Sequence, residues 1–294
     1  MPTERQAYSR VGSEAAAQLG WWHAHRFLLL RRFSQLSILA LFAASFWYGL
    51  DILKGNLSSS TVLNTLPLSD PFVLAQLIAS GHWPAQTALL GGVIVLLFYM
   101  LVGGRSYCSW VCPVNIVTDA ASWLRRRLGI SKTTKISSSL RYWLLGLSLL
   151  LPIAGGLLIW ELVNPVSLLQ RGLIFGLGSG WVLIAMIFLL DLLISQRAWC
   201  SHLCPMGAFY GLVGKLSVIR INARHRERCD DCMDCYKVCP EPQILKPVLK
   251  GAANGVSPII FASDCTNCSR CIDVCAESVF EINTRFTTEV ENKK

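Results

Sequence analysis

Four apolar stretches alternate with polar segments along the first two thirds of the chain. We predict spans at 33–50, 86–102, 142–160 and 173–195. About 20 apolar residues cross a bilayer as a helix, and tilt or flanking residues absorb small deficits. The pattern therefore predicts a polytopic all-α membrane domain, 33–221, with four transmembrane helices arranged as two similar helix pairs.

The segments around these stretches are shorter or more polar. Residues 1–32 are expected to form a cytoplasmic N-terminal segment with an interfacial helix, because Trp, His and Arg sit beside an apolar run there. We expect 51–85 to be a polar loop carrying a short amphipathic helix at 71–80, and 161–172 to be a short connection. A smaller domain, 222–286, and a polar tail, 287–294, follow.

Composition supports a membrane protein, because 53% of the 294 residues are hydrophobic and only 15% are charged, against about 25% charged in a soluble domain. Lys and Arg concentrate in 1–32, 103–141 and 196–294, whereas the loops 51–85 and 161–172 hold one each. This bias predicts a multi-pass protein of the bacterial cytoplasmic (inner) membrane with both termini cytoplasmic. The net charge of +9 then reflects contact with membrane lipid, and no nucleic acid partner is expected.

Eight of the 12 cysteines form two runs with the spacing C-x2-C-x2-C-x3-C. This is the ligand pattern of two [4Fe–4S] clusters in which the fourth cysteine of each run ligates the other cluster. We therefore assign Cys229, Cys232, Cys235 and Cys275 to one cluster and Cys265, Cys268, Cys271 and Cys239 to the other. The segment 222–286 is accordingly predicted to be a ferredoxin-like α+β domain.

Other uses of these eight thiols fit less well. A zinc site would not repeat a run of four cysteines, and a disulfide framework needs an oxidising compartment, which the predicted topology denies. Ala276 stands where the first run has Pro240. That difference affects the turn after the last ligand and not the ligands themselves.

The remaining four cysteines lie in a second repeat at the ends of the second and fourth spans. Both copies read R-x-aromatic-C-S-x-aliphatic-C-P and contain Cys108 and Cys112, or Cys200 and Cys204. The spacing C-x3-C places two sulfurs about one helical turn apart. The two pairs could bind a further metal or cluster, they could cycle between dithiol and disulfide, or the motif could simply pack at the membrane surface.

A few polar residues near the spans are candidates for proton transfer or quinol binding. Asp191 lies inside the fourth span, where a carboxylate usually faces the bundle interior; it could relay protons or pair with Arg105 or Arg197. Glu161 could accept a proton from a quinol or be an ordinary polar helix end. His82, with Trp83, could line the same pocket, and His23 could act in proton transfer or as an interfacial anchor.

Taken together, four spans, two C-x3-C-P loops and a C-terminal pair of cluster motifs resemble the NapH family, the membrane ferredoxin-type subunits of periplasmic nitrate reductase systems. The residues that carry the resemblance are Cys108-Ser-Trp-Val-Cys112-Pro113, Cys200-Ser-His-Leu-Cys204-Pro205, Cys229 through Pro240, and Asn164-Pro-Val-Ser-Leu-Leu-Gln-Arg-Gly. The resemblance covers nearly the whole chain.

The resemblance implies a quinol dehydrogenase component. Its substrate would be quinol, its partner a NapG-like iron–sulfur protein, and its electrons would go on to cytochrome c-type or nitrate reductase subunits. The clusters are predicted on the cytoplasmic side, however, while the final acceptor is periplasmic, so electrons would have to cross about 30 Å of hydrocarbon. The alternative is a membrane redox sensor, or an assembly factor that matures a partner metalloenzyme.

Overall fold

The computed structural model describes residues 11–49, 52–130, 134, 136–155, 158–176, 178 and 180–287. They divide into two compact units. The cysteine unit combines Met1–Arg31, Tyr99–Ser109 and Gly211–Lys294, and the helical unit combines Arg32–Phe98 and Trp110–Tyr210. The cysteine unit holds the eight cysteines of the two cluster motifs and Cys108, whereas Cys112, Cys200 and Cys204 belong to the helical unit. The domain boundaries drawn from the sequence stay a prediction.

A single helix, Trp21–Tyr48, runs through both the predicted interfacial segment and the first predicted span. The two were expected to be separate. They are continuous because no Gly or Pro interrupts the 28 residues, while Gly20 and Gly49, both with positive φ, flank the helix. This is the one helix in the described part of the chain that is long and apolar enough to cross a membrane, judged by length and composition.

The other three predicted spans correspond to shorter apolar helices. Gln86–Val102 has the bounds that the sequence predicts, with 17 residues. Leu140–Gly155 has 16 residues with Pro152 inside, and Gly180–Leu193 has 14. The third was expected to continue to residue 160 and the fourth to begin at 173. At 1.5 Å per residue, such helices are about 21–26 Å long.

The loop predicted at 51–85 contains the expected short helix, Pro71–Ala79, but a small antiparallel sheet that was not expected precedes it. The strands are β1 (Leu53–Gly55), β2 (Ser59–Val62) and β3 (Leu66–Ser69), in the order β1-β2-β3. A side chain at Gly91 of the helix Gln86–Val102 would lie 2.9 Å from the carbonyl oxygen of Pro67. Only glycine therefore allows this close contact of helix and strand. The segment 33–221, predicted to be all-α, thus contains a small sheet.

The connection predicted at 161–172 also contains regular structure. Two helices, Ile159–Val163 and Pro165–Phe175, fill it. The second is separate because Asn164 precedes a proline, which favours an extended residue before it and the first helical position for itself. Gly176, with φ 95°, then ends this helix, so the helix Gly180–Leu193 starts later than predicted.

Short helices complete the helical unit. Val114–Arg127 packs against Gly180–Leu193 and Pro165–Phe175, and the three helices share an apolar cluster of Val114, Val166, Leu169, Ile184 and Ile187. Arg125 is buried there and donates a 2.8 Å hydrogen bond to the carbonyl oxygen of Leu192. Its guanidinium group therefore supplies a hydrogen-bond donor to a carbonyl in the last turn of the helix Gly180–Leu193. Further described α-helices before residue 214 are Ser13–Leu19, Pro71–Ala79, Ser106–Trp110 and Pro205–Val213, with a π-helical turn at Trp199–Leu203.

The cysteine unit contains a two-stranded sheet and short helices. Strands β4 (Ile219–Asn222) and β5 (Glu281–Thr284) pair antiparallel, with Ile221 opposite Ile282. The helices are Asp234–Val238, Leu245–Lys250 and Arg270–Asp273. The core combines Ile221, Leu245, Ile260, Ile272 and Val279 with several of the cysteines.

Polar contacts join the three chain segments of this unit. The Asn267 amide nitrogen donates to the carbonyl oxygens of Val102 (3.0 Å) and Ile219 (2.9 Å). The Asp273 carboxylate accepts hydrogen bonds from the backbone of Phe27 (3.2 Å) and Leu28 (2.9 Å). The C-terminal cysteine loops are therefore held by residues from two distant parts of the sequence.

Candidate iron–sulfur centres

The two cysteine runs fold into loops of the same shape. In the first, Asp231 and Met233 have φ of 63°, and in the second, Asn267 and Ser269 have φ of 46° and 57°. These are equivalent positions, two and four residues after the first cysteine. When every second residue of a loop has a left-handed conformation, successive backbone N–H groups point toward one place. Such an arrangement suits an anionic group. Each loop then enters a short helix with its third cysteine.

Each loop contributes three cysteines to one cavity, and the other run supplies the fourth. The first cavity is lined by Cys229, Cys232, Cys235 and Cys275, together with apolar residues such as Phe280. The second is lined by Cys239, Cys265, Cys268 and Cys271, together with residues such as Ile260. The structure thus brings together the two groups of four that the spacing indicates, and ligation of a cluster by each group stays a prediction.

The chemistry of the two cavities fits an iron–sulfur cluster. None of the eight thiols forms a disulfide. Burial, with the neighbouring thiols, raises the pKa of Cys235 to about 12 and that of Cys271 well above its usual value. Thiols in such surroundings ionise together with metal binding, which releases their protons. Among the described residues, no group of three or more His, Cys, Asp or Glu converges closely enough to hold a single metal ion.

Buried arginines surround the second cavity, which we call the arginine-walled cavity. Arg31, Arg105, Arg220 and Arg270 are all at least 94% buried. Burial alone would raise the pKa of Cys268, but the charges of Arg270 and Arg31 outweigh it and bring the pKa to about 7. Arg220 and Arg105 also lower the pKa of Cys265, but burial outweighs them there and raises that pKa to about 11. Arg105 also pairs with Glu241 at 2.9 Å.

Acidic residues surround the first cavity, which we call the acid-lined cavity. Cys232 is exposed, as are Asp230 and Asp231 beside it. Burial and the nearby carboxylates of Asp230 and Asp234 raise the pKa of Cys232 to about 11. Carboxylates therefore border this cavity, which is partly open to water, although Lys250 pairs with Asp231 and Lys237 with Asp234. Buried arginines border the other cavity.

The structure divides the four C-x3-C-P cysteines between the two units. Cys108 lies in an α-helix, Ser106–Trp110. Cys200 lies in the π-helical turn, and Cys204 directly follows that turn with its sulfur accepting a 3.4 Å hydrogen bond from the Gly207 N–H. The spacing C-x3-C was expected to form one α-helical turn in each copy. The backbone instead differs between the copies, with an α-helix at Cys108 and a π-helical turn at Cys200. Within the helical unit, Cys112 and Trp199 pack against the same apolar cluster.

Asp191 is fully buried in the helical unit but does not use the arginines considered for it. Its Oδ1 accepts a 3.1 Å hydrogen bond from the backbone N–H of Trp199. Arg105 pairs with Glu241 in the cysteine unit, and Arg197 pairs with Asp119, which also pairs with Arg32. Asp191 thus ties the end of its helix to the second C-x3-C-P turn through this backbone hydrogen bond.

Glu161 and the two histidines lie in different surroundings. Glu161 accepts hydrogen bonds from the hydroxyl groups of Ser58 and Ser167, at 3.2 and 2.8 Å. His82 is exposed, with its Nδ1 3.2 Å from the Ser80 hydroxyl, and the structure does not bring it to Glu161. His23 is half-buried in the cysteine unit. Only Glu161 of these three belongs to a polar cluster.

Two groups of residues were missed from the sequence. Of the arginines around Cys265 and Cys268, Arg270 lies within the second cysteine run, but Arg31, Arg105 and Arg220 come from distant segments, so no local signal places them at this cavity. Asp70 and Tyr210, whose hydroxyl donates to Asp70 Oδ1 at 3.2 Å, were also missed. Asp70-Pro71 did carry a signal, because an Asx residue before proline typically starts a helix, and Asn164-Pro165 repeats it.

A protein-family model agrees with the internal repeat. The model described as Fer4_5, 4Fe-4S binding domain, matches the chain twice, over residues 84–131 and 177–224. Each match contains one copy of the C-x3-C-P motif. No solved structure matches the chain.

Curated relatives cover almost the whole chain. The ferredoxin-type protein NapH of Haemophilus influenzae is 52% identical over 94% of this chain and 96% of its own length, and NapH of Escherichia coli is 48% identical over 95% and 96%. The methylamine utilization ferredoxin-type protein MauN of Methylorubrum extorquens is 50% identical over 93% and 94%. With such identity over nearly its full length, the chain belongs to the family of ferredoxin-type proteins that includes NapH and MauN.

Proposed function

We propose that this protein is a membrane electron-transfer subunit that takes part in quinol oxidation. Electrons would pass through two [4Fe–4S] clusters to a NapG-like iron–sulfur partner and on to a periplasmic nitrate reductase. Membership of a ferredoxin-type family, with its two matches to a 4Fe-4S binding domain, supports electron transfer through iron–sulfur chemistry. The quinol, the number of clusters and the partner are our inferences.

The observation that carries the proposal is the pair of four-cysteine cavities. Cys229, Cys232, Cys235 and Cys275 would hold one cluster, and Cys239, Cys265, Cys268 and Cys271 the other. When bound, such clusters exchange single electrons. Oxidation of one quinol releases two electrons and two protons, so two oxidised clusters can take one electron each.

The proposed setting is a multi-pass protein of the bacterial cytoplasmic membrane. The long helix Trp21–Tyr48 and the three shorter apolar helices support four crossings, with tilt or local bilayer thinning covering the shorter ones. The Lys and Arg bias supports cytoplasmic termini. A C-terminal fusion to green fluorescent protein, which does not fluoresce after export by the general secretory route, should be fluorescent; a dark fusion that is nevertheless produced would contradict this orientation.

The function is tested by an anaerobic redox titration of the purified protein, followed by EPR, with iron and sulfide counted on the same sample. We expect about eight irons per chain and reduction of the clusters by excess menaquinol or ubiquinol. Clusters that dithionite reduces but neither quinol reduces would exclude direct electron transfer from quinol to this chain.

The second candidate is a membrane redox sensor, or an assembly factor for a partner metalloenzyme. The chain is about equally identical to NapH (52%) and to MauN (50%), relatives with different names. This favours the second candidate, because an assembly factor can serve partner enzymes that catalyse different reactions. Reconstitution separates the two functions. If the partner enzyme, matured in cells that contain this chain, turns over with quinol after the chain is removed, the second candidate is correct.

A further inference from the structure

The internal repeat extends to two short helices that begin in the same way. Pro71–Ala79 follows Asp70, and Pro165–Phe175 follows Asn164. Asp70 Oδ1 accepts a hydrogen bond from the second residue of its helix at 3.0 Å, and Asn164 Oδ1 does the same at 3.1 Å. Each helix presents a partial positive charge at this end.

The two helix starts belong to one polar network. The Ser58 carbonyl oxygen accepts from the Asp70 N–H at 2.9 Å, and the Ser58 hydroxyl donates to Glu161 at 3.2 Å. The Asn164 side-chain amide donates to Glu161 at 3.3 Å. Asp70 and Asn164, 94 positions apart in sequence, are therefore linked through Ser58 and Glu161.

Asp70 is the unusual member of this network. It is 5% exposed, and its Oδ2 has no hydrogen-bond partner among the described residues. Burial, with the charge of Glu161 adding to it, raises the pKa of Asp70 to about 7, although the Phe72 N–H and the Tyr210 hydroxyl oppose the rise. A carboxyl with a pKa near the working pH is suited to accept and release a proton.

Further polar atoms in the same region lack partners. Gln76 is fully buried, and neither atom of its amide has a partner in the described part of the chain; the same holds for the indole N–H of buried Trp160. Gln76 is one turn from Phe72, whose ring centroid lies 6.0 Å from that of Trp160 and 5.4 Å from that of Phe209. Buried polar groups without partners are costly, so a bound molecule is expected to complete them.

We propose that Asp70, Gln76, Trp160, Glu161 and Tyr210 form a binding site for a hydroxylated aromatic ring, the head group of a quinol. The aromatic side chains suit a flat ring, and the amide and indole groups suit its oxygen atoms. Two helix starts favour an oxygen that becomes anionic as its proton leaves. We call this set the Asp70–Glu161 site.

The chemistry of the site rests on the proposed function. The quinol gives one hydroxyl proton to Asp70 Oδ2 and the second to the Glu161 carboxylate, and its two electrons go to two oxidised iron–sulfur clusters. Both carboxylates lie in loops that the Lys and Arg bias predicts to be periplasmic, so these electrons have to cross about 30 Å of hydrocarbon to reach clusters predicted to be cytoplasmic. The O–H bonds break, the ring becomes the quinone, and the two carboxylic acids later release their protons to water.

Binding is tested separately from electron transfer. The full-length protein in lipid nanodiscs is titrated with 2-heptyl-4-hydroxyquinoline N-oxide, a fluorescent analogue of the quinol head group. We expect Gln76→Leu to weaken binding at least tenfold and the exposed control Glu14→Gln to leave it unchanged. If Gln76→Leu raises the thermal midpoint and binds the analogue like the parent protein, or if the parent protein does not bind it, the site is refuted.

Proton transfer is tested with menadiol as the electron donor. Asp70→Asn keeps the shape and the helix cap but cannot accept the proton, so we expect cluster reduction by menadiol to slow about 100-fold at pH 7, with dithionite reduction and iron content unchanged. Tyr210→Phe, which keeps the ring, should shift the pH dependence of the rate. An unchanged rate in Asp70→Asn overturns the role of Asp70.

Together, the binding and reduction experiments distinguish a failure of the proposed site from a failure of the proposed function. If menadiol does not reduce the clusters of the parent protein, while Gln76→Leu still loses the analogue, the site stands and the proposed quinol oxidation falls. If menadiol reduces the parent protein and every variant equally, quinol oxidation stands and this site is wrong.

Discussion

The cysteine unit and the helical unit are both built on duplicated sequences, and in both the copies share a shape but differ in charge. In the cysteine unit, Asp231 and Asn267 take the same left-handed conformation at equivalent positions. The cavities that they border nevertheless have opposite surroundings, one acidic and exposed, the other walled by buried arginines. The duplication thus determines the geometry, and substitutions around it determine the electrostatic potential.

The helical unit shows the same relationship at its two capped helices. Asp70 and Asn164 make equivalent hydrogen bonds to their helices. Asn164 is an amide whose nitrogen donates to Glu161 and Ser167. Asp70 is an acid whose Oδ2 has no hydrogen-bond partner among the described residues. The same helix-capping position therefore carries a titratable side chain, Asp70, in one copy and a neutral amide, Asn164, in the other.

The largest effect is expected from removing one cysteine of each cavity. Cys239→Ala should abolish the cluster of the arginine-walled cavity, although Cys239 belongs to the first run, and Cys275→Ala should abolish that of the acid-lined cavity. Each variant should lose about four of about eight irons. Iron counting and EPR check this.

The two variants should differ in how easily solvent reaches the cluster that remains in each. The cluster that remains in Cys239→Ala should react faster with dioxygen, an uncharged oxidant, than the one in Cys275→Ala, because Cys232 is exposed and Cys268 is buried. The reverse order would mean that the fourth cysteine of each run ligates the cluster of its own run.

A smaller effect is expected at Arg270. The reduced cluster carries one more negative charge, so losing a nearby positive charge lowers its potential, and Arg270→Gln should do so by on the order of 50–100 mV. The cluster in the arginine-walled cavity should have the higher potential of the two, because four buried arginines lie around it and favour the more negative, reduced form. Potentiometric titration followed by EPR measures both. Lys246→Gln, an exposed change in the same unit, is the control, and an equal shift there would contradict this explanation.

A third effect concerns the stability of the helical unit. Below pH 4, Asp70 is protonated in both the folded and the unfolded state. Between pH 4 and 7 the unfolded state loses this proton and the folded state keeps it, because burial raises the pKa of Asp70 to about 7. Stability is thus lost as pH rises through this range and stays lower above it.

Asp70→Asn should therefore raise the thermal midpoint at pH 8, by on the order of 5 °C, and leave it unchanged at pH 4. The reciprocal change, Asn164→Asp, places a second acid beside Glu161 and should lower the midpoint at pH 8. Equal midpoints for Asp70→Asn and the parent protein at pH 8 would mean that Asp70 is not held protonated by the fold.

The smallest effect is expected at the acid-lined cavity. Asp230 is exposed, so Asp230→Asn should raise the potential of that cluster by less than Arg270→Gln lowers that of the other. The shift should also shrink as salt concentration rises, because exposed charges are screened. A salt-independent shift would indicate a direct hydrogen-bond effect at Cys232.

How much of this could be predicted from the sequence depended on the range of each interaction. The spacing of the eight cysteines is local, and it indicates which thiols meet. The bounds of the helix Gln86–Val102 were also predicted correctly, because an apolar run ended by two glycines is a local signal. The sheet at 53–69 was missed because its Ser and Thr residues look like a polar loop. The arginine wall was missed because Arg31 and Arg105 join the cavity only through the tertiary fold.

The discontinuous make-up of the cysteine unit has a consequence for biosynthesis. Phe27 and Leu28 meet Asp273, and Val102 meets Asn267, so the unit can close only after residues beyond 270 have left the ribosome. The whole helical unit is synthesised in between. With the membrane topology and the clusters proposed above, membrane insertion is expected to precede iron–sulfur loading, so the machinery that delivers iron and sulfide would act on a chain already in the membrane.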